Sequence, residues 1–384
     1  MTRSRPHTRG ALLLLVALLG AVPAAAQQPA DTSETPIDLG RQLEGLGEVD
    51  QASLQITGFG VGNYSYAGRT GDNSFAASKV ALAAFREVTD HAYVFGQLTT
   101  ALQNAPEDGA DELSAEIEID NLLVSFVPPG ASNVAINFGK LDLPIGFERD
   151  DEPLNFLVTP SFNFELARPV KMVGLQGTWT PSPRAGVSGF VFNGWDGDLE
   201  PNRGKTAGAR FEFLPASGVT LGLSGLYGSE GEPDQTDNRY LLTFDYAVQP
   251  SWDWIVAGEA NPGGDHDVLP GGGDANWGGA MVTAVHRFSR HWGLAARAEV
   301  FRDADGARTG DIQTLESYTI APLYSIGVGR EGIFANVQHT TFRIPRLQLR
   351  GEVRFNHSDV PIFETADGLD TWNVEYRLQF VTTF

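Results

Sequence analysis

Apolar and polar residues alternate along the carboxyl end of the chain, which stops on a phenylalanine. One parity is apolar: Trp372, Val374, Tyr376, Leu378, Phe380 and Phe384. The other parity is polar: Asn373, Glu375, Arg377 and Gln379. A period of two is typical of a β-strand with one apolar and one polar face. The ending therefore predicts a strand whose apolar face contacts something other than water.

The same alternation recurs from Leu54 onward in sixteen segments. They cover residues 56–66, 79–88, 92–102, 115–127, 133–140, 170–180, 187–195, 206–213, 219–227, 239–248, 252–260, 277–288, 292–302, 315–328, 347–355 and 372–384. A strand that crosses a membrane needs about 9–11 residues. Glu116, Glu118 and Asp120 fall on the apolar parity of their segment, and we expect a β-bulge near Asn121 to correct this. The long stretch 329–346 leaves room for an extra element.

The connections between these segments alternate in length. Every other one is short and often contains proline, as in residues 127–130, 180–183 and 214–218. The connections between those are longer and acidic. Short turns at one end and long loops at the other are the arrangement of outer-membrane barrels. A soluble all-β fold is the alternative, and it has no reason to sort its loops in this way.

The two faces of the segments differ in a way that favours the barrel. In 206–213 and 292–302, Arg210, Glu212, Arg297 and Glu299 oppose alanine, valine and phenylalanine. In 347–355, Arg350, Glu352 and Arg354 oppose Leu349 and Val353. Buried ions need partners or water. The charged face therefore indicates a water-filled lumen, and the apolar face is expected to contact lipid. Aromatic residues next to the short turns suit a girdle at the membrane interface: Phe126, Trp179, Phe213, Trp252, Phe288 and Trp292.

Composition and the amino terminus place the chain outside the cytoplasm. Three arginines precede an apolar run at 11–22 and small residues at 24–26, which predicts a signal peptide at 1–26; a signal anchor is the alternative. Polar residues 27–51 are interpreted as a flexible periplasmic leader, and 52–384 as the barrel. The net charge of −21 argues against nucleic-acid binding, and the absence of cysteine excludes thiolate chemistry and Cys-zinc sites.

Three stretches resemble a known family. They are FGKLDLPIGFE (138–148), FNGWDGDLEPNRGKTAG (192–208) and RAEVFRDADGARTG (297–310). Together they resemble the beta-barrel porins of the OmpL-like type, a family of bacterial outer-membrane porins. The resemblance implies an outer-membrane channel and names no solute. The final residues Tyr376, Leu378, Phe380 and Phe384 also resemble the carboxyl-terminal signal that the barrel-assembly machinery reads.

The segment 141–169 combines charge with phenylalanines and is the longest connection of its kind. We expect it to fold into the lumen as a constriction whose acids face arginines of the wall, since charged rings set ion selectivity. The predicted pore residues are Arg149, Asp150, Asp151, Glu152, Arg168, Arg210, Glu212, Arg297, Glu299, Arg350, Glu352, Arg354 and Arg377. The alternative is a loop that lies across the mouth or against a neighbouring subunit.

The predicted function is an outer-membrane porin for passive diffusion of ions and small hydrophilic solutes, with a weak preference for cations. A non-conducting surface barrel and an anion- or phosphate-selective channel are the alternatives. Predicted partners are outer-membrane lipid and lipopolysaccharide, the barrel-assembly machinery, the solutes themselves and copies of the chain in a homotrimer. Neither a cofactor nor a metal site is predicted, since Asp303 and Asp305 lack the EF-hand spacing. No nucleophile motif indicates an enzyme. An outer-membrane lipase or protease is kept as an alternative, because folding brings the residues of a catalytic triad together from distant positions in the sequence.

Overall fold

The computed structural model describes residues 54–104, 113–197, 204–230, 238–327 and 344–384. The predicted signal peptide, the leader and most of 329–346 lie outside these residues. Among the residues that are described, no helix has the length and apolarity to cross a bilayer.

Sixteen antiparallel strands form a closed barrel, one for each predicted segment. They are β1 Gln55–Ala67, β2 Asn73–Thr89, β3 Ala92–Asn104, β4 Leu113–Phe126, β5 Val134–Asp142, β6 Lys171–Ser182, β7 Ala185–Phe192, β8 Thr206–Ala216, β9 Val219–Ser229, β10 Asn238–Ser251, β11 Trp254–Asp265, β12 Ala275–Arg287, β13 Trp292–Asp303, β14 Gln313–Ile326, β15 Leu347–Ser358 and β18 Trp372–Thr383. A hairpin of β16 Phe363–Thr365 and β17 Gly368–Asp370 precedes β18. Each barrel strand pairs with its neighbours in the chain, and β1 pairs with β18. A closed sheet leaves no unpaired edge, as a strand in lipid requires.

The barrel closes where the first and last strands meet. Phe59 is opposite Thr383, and Val61 is opposite Val381. The Phe384 amide donates to the Gly58 carbonyl at 3.0 Å, and the Gly58 amide donates to the Phe384 carbonyl at 3.1 Å. The terminal phenylalanine is therefore part of the seam.

The outer face is apolar along the strands, as the alternation predicts. Phe211, Leu223, Leu242 and Phe380 are all about half exposed there. The six aromatic residues beside the short turns are exposed as well: Phe126, Trp179, Phe213, Trp252, Phe288 and Trp292. Their position at one end of the barrel is that of an interfacial girdle.

The predicted bulge lies at Asp120. Gln97 is opposite Asn121 and Leu98 is opposite Ile119, so Asp120 has no partner in the ladder. An extra residue reverses the parity of the strand. Asp120 and Asn121 are consequently both buried.

Candidate functional site

The connection between β5 and β6, residues 143–170, packs against the inner face of the barrel; we call it the inserted loop. It contains a 3₁₀ turn at Glu152–Leu154 and one π-helical turn at Asn163–Ala167. Leu143 and Ile145 pack with Phe190, Phe192 and Leu241 of the wall. At the short-turn end, a second cluster joins the loop to β11–β14: Phe156, Leu157, Ile255, Val285, Ala295, Ala321 and Leu323. Fully burying a side chain such as Leu or Phe contributes about 1.5–3 kcal/mol, so these contacts hold the loop inside.

The inner wall is therefore less ionic than the sequence indicates. Phe192, Ile255, Val285 and Phe301 point inward and are almost completely buried. The alternation of single strands could not show this, because the apolar inner residues are covered by a loop from elsewhere in the chain.

Three wall glutamates accept hydrogen bonds from the loop. Glu352 accepts from the Val158 amide at 2.6 Å, and Glu299 accepts from the Phe162 amide at 2.6 Å. Glu259 accepts from Arg168 Nε at 3.1 Å, within a pair that is fully buried. These carboxylates satisfy two backbone amides and one guanidinium group of the loop that would otherwise be buried without partners.

Wall arginines donate to the loop in return. Arg297 Nη1 donates to the Thr159 carbonyl at 2.8 Å, Arg354 Nη1 to the Pro160 carbonyl at 3.0 Å, and Arg350 Nη2 to the Glu152 carbonyl at 3.0 Å. Arg297 also pairs with Glu148 of the loop at 2.5 Å. The arginines thus bind mainly the backbone of the loop.

The expectation that the loop acids face wall arginines is wrong for Asp150, Asp151 and Glu152. Asp150 lies 3.1 Å from Lys171 Nζ, and Glu152 lies 3.3 Å from Lys79 Nζ. Asp151 accepts from Gln97 Nε2 at 2.9 Å. The physical reason is position, since this part of the loop contacts β2, β3 and β6, and the inward cations there are Lys79 of β2 and Lys171 of β6. The sequence prediction overlooked Glu148 of the loop and, on the wall, Lys79, Lys171, Gln97 and Glu259, because isolated polar residues carry no spacing signal.

Burial favours the neutral form of several groups of the loop. It raises the pKa of the Asp151 carboxyl well above its usual value, and the nearby charge of Asp142 adds to this. It also raises the pKa of Glu152 and of Glu165. Burial and the charge of Arg168 lower the pKa of Arg149 to about 10. The Arg149 guanidinium donates to the carbonyls of Ile145 and Gly146, each at 3.1 Å.

The remaining predicted pore residues also lie on the inner face. Arg210 of β8 pairs with Glu212 of the same strand at 3.3 Å and with Asp245 of β10, across β9, at 2.6 Å. Arg377 pairs with Glu375 at 2.7 Å.

A strip of polar wall is less covered than the rest. Asn373, Glu375 and Arg377 of β18 and Asn63 and Ser65 of β1 face inward, as their pairing with buried Asn356, Arg354, Glu352 and Gln379 shows. All five are half-buried, whereas the inward residues of β11–β15 are buried except Arg287 and Ser325 near the short turns. Water therefore reaches the interior along β18 and β1.

The residues of the predicted insertion signal lie on the outer face. Tyr376, Leu378 and Phe380 alternate outward, and Phe384 ends the seam strand with its ring exposed. Their side chains are accessible to lipid in the folded barrel.

A closed barrel of sixteen antiparallel strands, with an apolar exterior, a charged interior and one loop folded inside, defines the class of outer-membrane porins. The family model described as "Putative beta-barrel porin-2, OmpL-like" matches residues 62–384, and the chain belongs to that family. The comparison with curated proteins gave no match.

Solved structures with the same fold are themselves outer-membrane proteins. The anion-selective porin from Comamonas acidovorans has a TM-score of 0.60 and 9% identity, over 87% of this chain and 100% of that one. The outer-membrane channel DcaP of Acinetobacter baumannii has a TM-score of 0.59 and 11% identity, over 87% and 97%. The trimer form of OmpT of Vibrio cholerae has a TM-score of 0.56 and 9% identity, over 87% and 100%. The family supports an outer-membrane porin, and the solved structures share its fold.

Proposed function

We propose that this chain is a general porin of a Gram-negative outer membrane, through which ions and small hydrophilic solutes diffuse passively with a weak preference for cations. Residues 1–26 act as its signal peptide, and Tyr376, Leu378, Phe380 and Phe384 as its insertion signal for the barrel-assembly machinery. The inserted loop is the constriction, and the half-buried strip on β18 and β1 is the route past it.

The observation that carries the proposal is the unequal covering of the inner wall. The loop is bonded to β11, β13 and β15 through Glu259, Glu299 and Glu352. On β18, the strand next to β15, Glu375 and Arg377 stay accessible. Charges of both signs along such a passage favour polar over apolar solutes.

The preference for cations rests on the charge around Lys79 and Lys171. These two ammonium groups lie among five carboxylates: Asp120, Asp142, Asp150, Asp151 and Glu152. The excess of negative charge raises the local concentration of cations.

A non-conducting surface barrel is the second candidate, and the burial of the inner residues of β11–β15 favours it. A loop that also covered β18 and β1 in the membrane would close the lumen.

Single-channel recording of the refolded protein in a planar bilayer, across a salt gradient, separates the two. If the protein is a porin, the recording should show stable conductance steps. The sign of the reversal potential should indicate that cations cross more readily than anions. Glu375→Gln should reduce that potential, whereas Glu316→Gln, on the outer face opposite Val300, should leave it unchanged. Silence from protein that is shown to be folded would support the surface barrel.

We also propose a homotrimer, for which the trimer form of a structural neighbour is the support. Sedimentation in detergent should give a particle of three chains. The apolar exterior contacts lipid and lipopolysaccharide.

A further inference from the structure

Glu165 differs from the other acids of the inserted loop because its carboxylate has no partner among the residues that the structure describes. It accepts no hydrogen bond from them and lies within ion-pair distance of none of their cations. The other four acids of the loop are engaged: Glu148 with Arg297, Asp150 with Lys171, Asp151 with Gln97, and Glu152 with Lys79. A carboxylate that protein groups do not satisfy needs water or a mobile ion.

Glu165 also faces open space, although the loop around it is packed. Along 143–170 the exposed residues are Pro160 and Glu165, and all the others are buried or half-buried. The charges that act on Glu165 include those of Arg354 and Arg297, which belong to the inner wall. The exposed carboxylate therefore lies inside the lumen, where the loop leaves room for water.

The exposed side of the loop borders the half-buried strip on β18 and β1. The carbonyl of Pro160 accepts from Arg354 Nη1 at 3.0 Å, and Arg354 is opposite Glu375 of β18 in the ladder. The charge of Arg354 also acts on Glu165. Because Arg354 lies next to both the loop and the strip, Glu165 borders the passage that we propose for solutes.

The backbone that carries Glu165 is held firmly on both sides. Glu165 lies in the π-helical turn Asn163–Ala167. Asn163 Nδ2 and Arg168 Nε, on either side of it, each donate to Glu259 at 3.1 Å. Single π-helical turns are rare and occur frequently at functional sites. The turn thus fixes the origin of the side chain, while the carboxylate itself stays accessible.

We propose that Glu165 determines the ion selectivity of the channel, because its unpaired carboxylate attracts cations to the passage and repels anions. This inference rests on the proposed porin function. Fixed charges at a constriction set ion selectivity. A carboxylate already paired with a lysine or arginine contributes little net charge, whereas Glu165 presents its full charge to passing ions. The favoured solutes are accordingly small cations, and solutes with a net negative charge are disfavoured.

The absence of cysteine from the chain allows the charge at this position to be exchanged chemically. Glu165→Cys is made in the full chain, and the folded channel is treated with a methanethiosulfonate that carries either a sulfonate or a trimethylammonium group. The thiolate displaces methanesulfinate and forms a disulfide with the reagent, which leaves an adduct of known charge.

Reversal potentials in a salt gradient are the measurement. They are recorded at pH 8, because burial raises the pKa of the Glu165 carboxyl and the wild-type group has to be ionised. Glu165→Cys should shift the potential toward zero. The sulfonate adduct should restore the cation preference, and the trimethylammonium adduct should shift the potential toward anion preference.

Asp274→Cys is the matched control, since it replaces an exposed acid of an outer loop. It should react with both reagents and leave the reversal potential unchanged. A conducting Glu165→Cys channel would overturn the role of Glu165 alone if both adducts left its potential unchanged, or if its thiol did not react. Silence from folded wild-type protein would overturn the porin function and this role together.

Discussion

At the scale of single residues, the interior depends on carboxylates that each serve several donors. Glu299 accepts from the Phe162 amide at 2.6 Å and pairs with Arg297 at 3.2 Å and Arg354 at 3.1 Å, while its own side chain is fully buried. Such a group joins two wall strands to the loop. Its removal would leave two guanidinium groups with fewer partners in a site of low polarity.

Glu299→Ala should therefore lower the free energy of unfolding by about 3–5 kcal/mol, the usual cost of breaking a buried ion pair. Urea-induced unfolding in lipid vesicles measures it. Glu316→Ala removes a carboxylate from the outer face and should cost about 0–1 kcal/mol. Equal losses in the two variants would contradict the role of Glu299 as a junction.

Gly146 is the second residue that decides how the loop lies. Its φ is +72°, and a Cβ there would come 2.3 Å from Glu259 Oε2 and 2.6 Å from Arg168 Nε. Gly71 has a φ of +82° and open space around it. The left-handed conformation alone costs a residue with a side chain about 1–2 kcal/mol.

Gly146→Ala should consequently destabilise the barrel by more than Gly71→Ala, because it adds a clash with the buried Arg168–Glu259 pair to the backbone strain. It should also make the inserted loop more sensitive to protease. The comparison of the two variants by urea unfolding and limited proteolysis isolates the clash, and equal effects would count against it.

At the scale of elements, the inserted loop is held by apolar anchors at one end of the barrel and by ionic contacts in the middle. Phe156 and Leu157 occupy a buried cluster with Ile255 and Leu323. Truncation of a buried Phe or Leu to Ala commonly costs about 2–5 kcal/mol. Most of that cost falls on the docking of the loop, since the strands keep their own ladder.

The double substitution Phe156→Ala and Leu157→Ala should loosen the loop and increase both the conductance of the channel and its fluctuations. Single-channel recording tests this, with Phe138→Ala, on the outer face, as the control. Unchanged conductance would mean that the loop does not limit the passage.

At the scale of the whole molecule, pH should change the selectivity of the channel. Burial raises the pKa values of Asp151, Glu152 and Glu165, so these acids take up protons at a higher pH than an ordinary carboxyl. Asp150 moves the other way, because Lys171 and Lys79 lower its pKa. Acidification therefore removes negative charge from the loop while Asp150 stays ionised.

The preference for cations should accordingly decrease as the pH falls from 7 to 5, which reversal potentials at several pH values would show. The pKa values of the three acids are higher in the folded state than in the unfolded state. Protonation of these acids therefore stabilises the docked loop, and this stabilisation is lost as the pH rises through their pKa values. Asp151→Asn should flatten the dependence. A preference that grows at low pH would contradict this assignment of charges.

Much of the fold followed from the order of residues in each segment. All sixteen strands, the outward face of β18 and the bulge beside Asn121 were predictable, because strand parity is local and the two environments, lipid and lumen, differ strongly in polarity. The charged wall residues Arg210, Arg297, Arg350 and Arg354 were predictable for the same reason.

The partners of those residues were decided only by the tertiary structure. Asp150 and Glu152 meet Lys171 and Lys79 instead of arginines, and Asp151 meets Gln97, across separations that no sequence spacing records. Likewise, the apolar inner residues Ile255, Val285 and Phe301 are intelligible only once the loop covers them. The alternation of one strand reports which face a side chain takes, whereas contacts inside a closed barrel depend on where a distant loop comes to lie.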